Sequence, residues 1–215
     1  MKLSLTPLLS GICLAAALVL PAGAVPTVYD ITVDHSSHGL GTAPFGTVSL
    51  DQNGTGVDFI VHINTGYGFV LTGSADFMNF KFNATGVSLS DITITQNAPH
   101  TLSAQTPAPG QSFDGDGTGQ FGFGITGAPG QGSGGSDPFS TDIKFNVAGS
   151  TIADFTQPNN LNFLFVVDII SPNGETGPAA VPGGRQVPDG GSTMSLLGAG
   201  LIGLSLVRRK FGKKS

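Results

Sequence analysis

The chain has 215 residues, of which 33 are Gly, 14 Pro, 15 Phe and none Trp. Only 11% are charged against 39% apolar, which excludes a disordered polyelectrolyte and leaves enough material for one packed domain. The net charge of −5 hides a segregation: residues 25–186 hold Lys81, Lys144 and Arg185 against 13 acidic side chains, a formal −10, so this body repels nucleic acid and attracts cations.

The first element is a leader. Lys2 gives a positive start, residues 8–20 form an apolar run of 13, and Pro21 breaks it. Ala22-Gly23-Ala24 then supplies the small residues that signal peptidase reads, so a secretory signal helix is expected over residues 1–24 with cleavage after Ala24. The run is short for a membrane span. The only cysteine, Cys13, lies inside it, and the bulky Ile12 before it argues against a lipoprotein site. The body therefore has no disulfide, thiolate metal site or Cys nucleophile.

Strand-like runs then recur, separated by turn residues. They cover residues 29–33, 46–50, 57–63, 69–72, 76–82, 87–95, 121–125, 143–147, 152–155 and 162–170. The tetrapeptide Asn53-Gly54-Thr55-Gly56 is a hairpin turn between the second and third. In the third, the period of two puts Val57, Phe59, Val61 and Ile63 on one face and Asp58, Ile60 and His62 on the other. Met78, Phe80 and Phe82 are expected to share a face in the fifth. Helical periodicity is absent from the body. The expected fold is all-β, a jelly-roll-like β-sandwich over residues 25–170. Residues 107–138 read as loop-rich, and residues 171–186 as a Gly/Pro-rich stalk.

Several constellations invite a chemical reading. Asp114, Asp116 and Thr118 place oxygen donors at alternate positions of a Gly-rich turn, a candidate Ca²⁺ loop. The twelfth position of an EF-hand would fall on Ile125, so it is not one, and an exposed turn is the plainer reading. Asp34-His35-Ser36-Ser37-His38 carries two imidazoles but no evident third metal donor. A literal GxGxxG at residues 117–122 lacks the strand-then-helix context of a dinucleotide site. No GxSxG elbow or HExxH motif occurs, and Glu175 is the only glutamate. Asn53-Gly-Thr55 and Asn83-Ala-Thr85 fit a glycosylation pattern that is uncommon in bacteria. Sugar stacking would have to use Tyr29 or Tyr67.

The C-terminus has three parts. Val187-Pro188-Asp189-Gly190-Gly191 is an extended, accessible motif. Residues 190–207 are 18 uncharged residues, just enough for a short transmembrane helix, and Arg208, Arg209 and Lys210 follow as a basic stop on the cytoplasmic side. A plain tail anchor would share the last two parts.

The three-part arrangement of residues 187–215 resembles the PEP-CTERM family of exosortase sorting signals, and its motif is similar to the VPDSG variant, with Gly190 where that variant has Ser. The resemblance implies a diderm bacterium that makes exopolysaccharide. It further implies transient residence in the inner membrane, cleavage of the tail by an exosortase-like protease or transpeptidase, and delivery to the cell surface or extracellular matrix. Residues 76–82 and 89–94 also look similar to bodies found before such tails, which have no assigned activity. The expected function is therefore a non-enzymatic structural protein associated with exopolysaccharide or biofilm, without a cofactor. The alternatives are a calcium- or polysaccharide-binding module and a secreted hydrolase.

Overall fold

The computed structural model describes residues 25–71, 77–96, 100–114, 117–127 and 137–184. The expected signal helix, sorting motif, transmembrane helix and basic stop lie outside these residues. Among the described residues, no helix is long and apolar enough to cross a membrane.

The body is all-β, built from two antiparallel sheets. Strands β1 (Thr27–Ile31), β3 (Gly46–Asn53), β4 (Gly56–Ile63), β7 (Ile92–Ile94) and β10 (Ile143–Ala148) form the first, in the order β1-β3-β4-β10-β7. The second contains β2 (Val33–Asp34), β6 (Phe80–Phe82), β8 (Ser103–Gln105), β9 (Phe123–Thr126), β11 (Phe163–Ile170) and β12 (Thr176–Pro182). Its order is β2-β12-β11-β6-β9-β8, with the two-residue β5 (Gly68–Phe69) also paired to β11.

The expected hairpin is present. Asn53 pairs with Gly56 across a two-residue turn, and Gly54 takes φ +59°, which glycine adopts at no steric cost. The alternation read in β4 holds: Val57, Phe59, Val61 and Ile63 are buried, while Ile60 and His62 face solvent.

The sheets face each other across one phenylalanine-rich core, the layered arrangement of a β-sandwich. Phe59 of the first sheet stacks on Phe145 at 4.5 Å and meets Phe155 edge-on at 4.7 Å. It also touches Phe82 and Phe165 of the second sheet, with ring centroids 5.7 and 6.1 Å away. Offset and edge-on aromatic packing adds about 1 kcal/mol per pair beyond the area buried.

The structure departs from the sequence reading in five places, the first being β8, which forms where no strand is expected. Residues 171–186 are not simply a stalk, because β12 runs through them, paired with β11 along its length and with β2 at Ala179 and Ala180. Small residues are needed there for packing: a Cβ on Gly177 would lie 2.5 Å from Ser36 Cβ. Residues 152–155 form a 3₁₀ turn rather than a strand, because Asp154 Oδ2 accepts from Thr151 N at 2.7 Å and from Thr151 Oγ1 at 2.9 Å. The same capping box at Ser88 and Asp91 turns the first half of residues 87–95 into a 3₁₀ turn, leaving only β7 as strand. Met78 does not share a face with Phe80 and Phe82. The backbone turns through positive φ at Phe77, and Met78 joins a second apolar cluster with Phe113, Phe121, Val166 and Ala180.

That second cluster covers the outer face of the second sheet, which is otherwise the wrong place for an apolar surface. Lys81, opposite Val166 in the ladder, and Asp168, two positions on, occupy the same face and are fully buried.

Candidate functional site: the chain-exit end of the sandwich

β11 and β12 define the two ends of the sandwich. Phe163 pairs with Pro182 at one end and Ile170 with Thr176 at the other, roughly 24 Å apart at the usual rise per residue. The chain leaves the sheet at the first end, after Pro182, and there the structure concentrates an asparagine network.

Four asparagines stitch three loops to the departing chain. Gly183 N donates to Asn162 O at 2.6 Å, and a Cβ on Gly183 would lie 2.8 Å from Pro158 Cβ. Asn159 Oδ1 accepts from Leu161 N and Phe163 N, both at 3.0 Å, so its side chain caps the 159–162 turn. Its Nδ2 donates to Thr118 O at 2.7 Å, and Asn160 Oδ1 accepts from Gln120 N at 2.8 Å. Asn83 continues the network, donating to Gln120 O at 3.1 Å and accepting from Gly122 N at 2.7 Å. Thr85 N then donates to Asp154 O at 3.0 Å. Amides suit this role because each offers both donors and an acceptor to backbone groups that no strand pairs.

The Gly-rich loop around residues 114–119 belongs to this network. Asp114 is exposed and Thr118 fully buried, while Asp116 lies outside the described residues. Gly119 takes φ +90°, and a Cβ there would lie 2.5 Å from Asn159 Nδ2 and 2.8 Å from Asn160 Oδ1. The loop is thus pinned through its backbone. Among the described residues, no group of three His, Cys, Asp or Glu side chains converges as metal ligands would.

The two imidazoles of residues 34–38 diverge. His35 packs edge-on against Phe163 at 4.8 Å, with its Nε2 buried and without a hydrogen bond. His38 is exposed, 2.9 Å from Ser37 Oγ and 3.8 Å from Glu175. Asp34 instead organises the backbone. Its Oδ1 accepts from Ser36 N and Ser36 Oγ, both at 2.7 Å, and its Oδ2 from Leu40 N at 2.6 Å. Partial burial alone would raise this carboxyl, but the hydrogen bonds from Ser36 and Leu40, with His35 nearby, hold it below the ordinary value.

The opposite end carries a cleft of about 430 Å³, whose lining includes Tyr67, Phe139, Ser140, Ser171 and Pro172. Among the described residues, no charged side chain lines it. Tyr67 packs edge-on against Phe45 and donates from its hydroxyl to Leu40 O at 3.2 Å. Tyr29, the other tyrosine, is buried in the core.

The sequence reading missed the asparagine network. Its signal was the density of amides in Gln157-Pro-Asn-Asn-Leu-Asn162, which as a connection carries no periodicity to mark it.

A family model for the VPDSG-CTERM motif matches residues 186–211. No curated protein and no solved structure matches the chain. The chain carries a C-terminal sorting signal of the PEP-CTERM type, which marks an exported, surface-directed protein and implies processing by an exosortase-like membrane enzyme.

Proposed function

We propose that this is a structural protein of the cell surface or extracellular matrix, associated with exopolysaccharide and without enzymatic activity or a cofactor. Signal peptidase removes residues 1–24, the tail passes transiently through the inner membrane, and cleavage within Val187 to Gly191 releases the β-sandwich outward. The observation that carries this reading is the sorting motif placed directly behind a folded all-β body. Fractionation of the native host tests it. The protein should be found in the surface or matrix fraction, and deletion of residues 187–191 should strand it in the inner membrane. Wild-type protein held in the inner membrane would refute the reading.

A second reading, a polysaccharide-binding module, is favoured by one feature. Among the described residues, the cleft opposite the chain exit has no charged lining and combines the ring of Tyr67 with the hydroxyls of Ser140 and Ser171, a lining suited to a neutral sugar. Glycan-array binding that Tyr67→Ala abolishes would support it, and an empty array would remove it.

A further inference from the structure

We propose that the asparagine-stitched loops at the chain-exit end of the sandwich are the surface on which the membrane-embedded sorting enzyme seats this domain during cleavage. The inference rests on the sorting reading above and adds to it a docking face on the folded body.

The last anchored residue, Gly183, whose N–H donates to Asn162 O, is four residues from Val187 and seven from Gly190, where the uncharged run begins. Whatever path those residues take, full extension reaches only about 14 Å to the motif and about 24 Å to the run. A stalk of 16 residues would have allowed several times that reach. It is shortened because β12 occupies residues 176–182.

The tether cannot be lengthened cheaply. Five consecutive residues of β12, from Gly177 to Val181, are buried, and β12 lies between β11 and β2. Peeling it away would open the second sheet and expose Ala179 and Val181 from the core. The domain is therefore held against whatever surface takes the motif, and the loops beside Gly183 meet that surface first.

Residues 83–86, 117–122, 156–162 and 183–184 contain no charged side chain, on a body whose formal charge is −10. Asp114, Asp116, Asp154 and Arg185 flank these loops in sequence, Asp51 and Asp58 lie on the neighbouring hairpin that Gln52 ties to Ser150, and the Asp154 carboxylate is taken up by Thr151. Leu161 stands 49% exposed at the tip of this end. Neutral amides around one exposed leucine form a face that desolvates at less cost than a charged one. The network between loops also makes the face rigid before contact, so little entropy is lost on docking. Among the occupants available, the enzyme that binds the adjoining motif is the one present at every turnover.

The test uses the full chain in its native host, with loss of the tail followed by pulse–chase. Asn160→Asp with Leu161→Asp adds two carboxylates to the face. Both positions are exposed, and the carboxylate introduced by Asn160→Asp can still accept from Gln120 N. Tail removal is expected to slow about tenfold, the effect of 1.4 kcal/mol on docking. Ser140→Asp with Asn173→Asp, at the far end, should stay within about twofold of wild type. A 12-residue Gly/Ser insert between Gly184 and Arg185 should restore cleavage of the slowed variant, because a longer tether no longer forces the face into contact. A photoreactive residue replacing Leu161 should crosslink to the sorting enzyme. Normal cleavage of the Asn160/Leu161 variant, a defect that the insert does not relieve, or crosslinks to phospholipid alone would each overturn the proposal. The sorting reading fails separately, if the wild-type chain never loses its tail.

Discussion

Gly119→Ala is the sharpest structural test of the chain-exit network. Gly119 has φ +90°, which an L side chain adopts only at a cost of about 1 kcal/mol. The added methyl would also lie 2.5 Å from Asn159 Nδ2, so Asn159 must move. Moving it endangers its bond to Thr118 O and its cap on Leu161 N and Phe163 N. Losing two of these three hydrogen bonds costs about 2 kcal/mol, which brings the expected destabilisation to about 3 kcal/mol. Gly117→Ala is the matched control: φ is +70°, but nothing lies within 4 Å of its Cβ, so only the backbone cost of about 1 kcal/mol should appear. Urea unfolding of residues 25–186, with equal m-values for both variants, measures the difference. Equal destabilisation by the two substitutions would refute the claim that Asn159 pins this loop.

Three further outcomes follow from the packing and the electrostatics. Phe59→Ala removes the ring that joins both sheets and should cost about 3–5 kcal/mol in the same assay; a loss under 1 kcal/mol would contradict a single shared core. The Asp34 carboxyl is depressed in the folded state, so its contribution is complete above its unfolded value of 3.8 and is lost as pH falls through the lower folded value. Asp34→Ala should therefore lower stability at pH 7 by about 1–2 kcal/mol, and the gap to wild type should close in strong acid. Asp142→Asn, which removes the acid partner 2.8 Å from exposed His62 on the outer face of the first sheet, should change stability by less than about 1 kcal/mol at any pH from 5 to 8.

The sequence and structure agree where hydrophobic period governs. β3, β4, β10 and β11 alternate or run apolar over six to eight residues, and each was legible. β12 was not, because Gly177, Pro178, Ala179 and Ala180 read as breakers, whereas the sheet selects them for close approach of β2. Pro178 keeps its place by accepting from His35 N while donating nothing. The two capping boxes at Ser88 and Thr151 were legible in principle, as Ser or Thr followed three residues on by Asp. They lost to the β-branched residues beside them. The sorting signal was readable because its three parts are linear in sequence. The asparagine network was not, because Asn83, the 117–122 loop and residues 159–162 meet only after folding.

The central claim is that this chain is exported and sorted through its tail. Intact mass and C-terminal peptide analysis of the protein, recovered fraction by fraction from its native host, tests that most directly. The expected form begins at Val25 and ends within Val187 to Gly191, outside the inner membrane. A form that keeps Arg208, Arg209 and Lys210 in every fraction would make the tail a plain anchor and contradict the account.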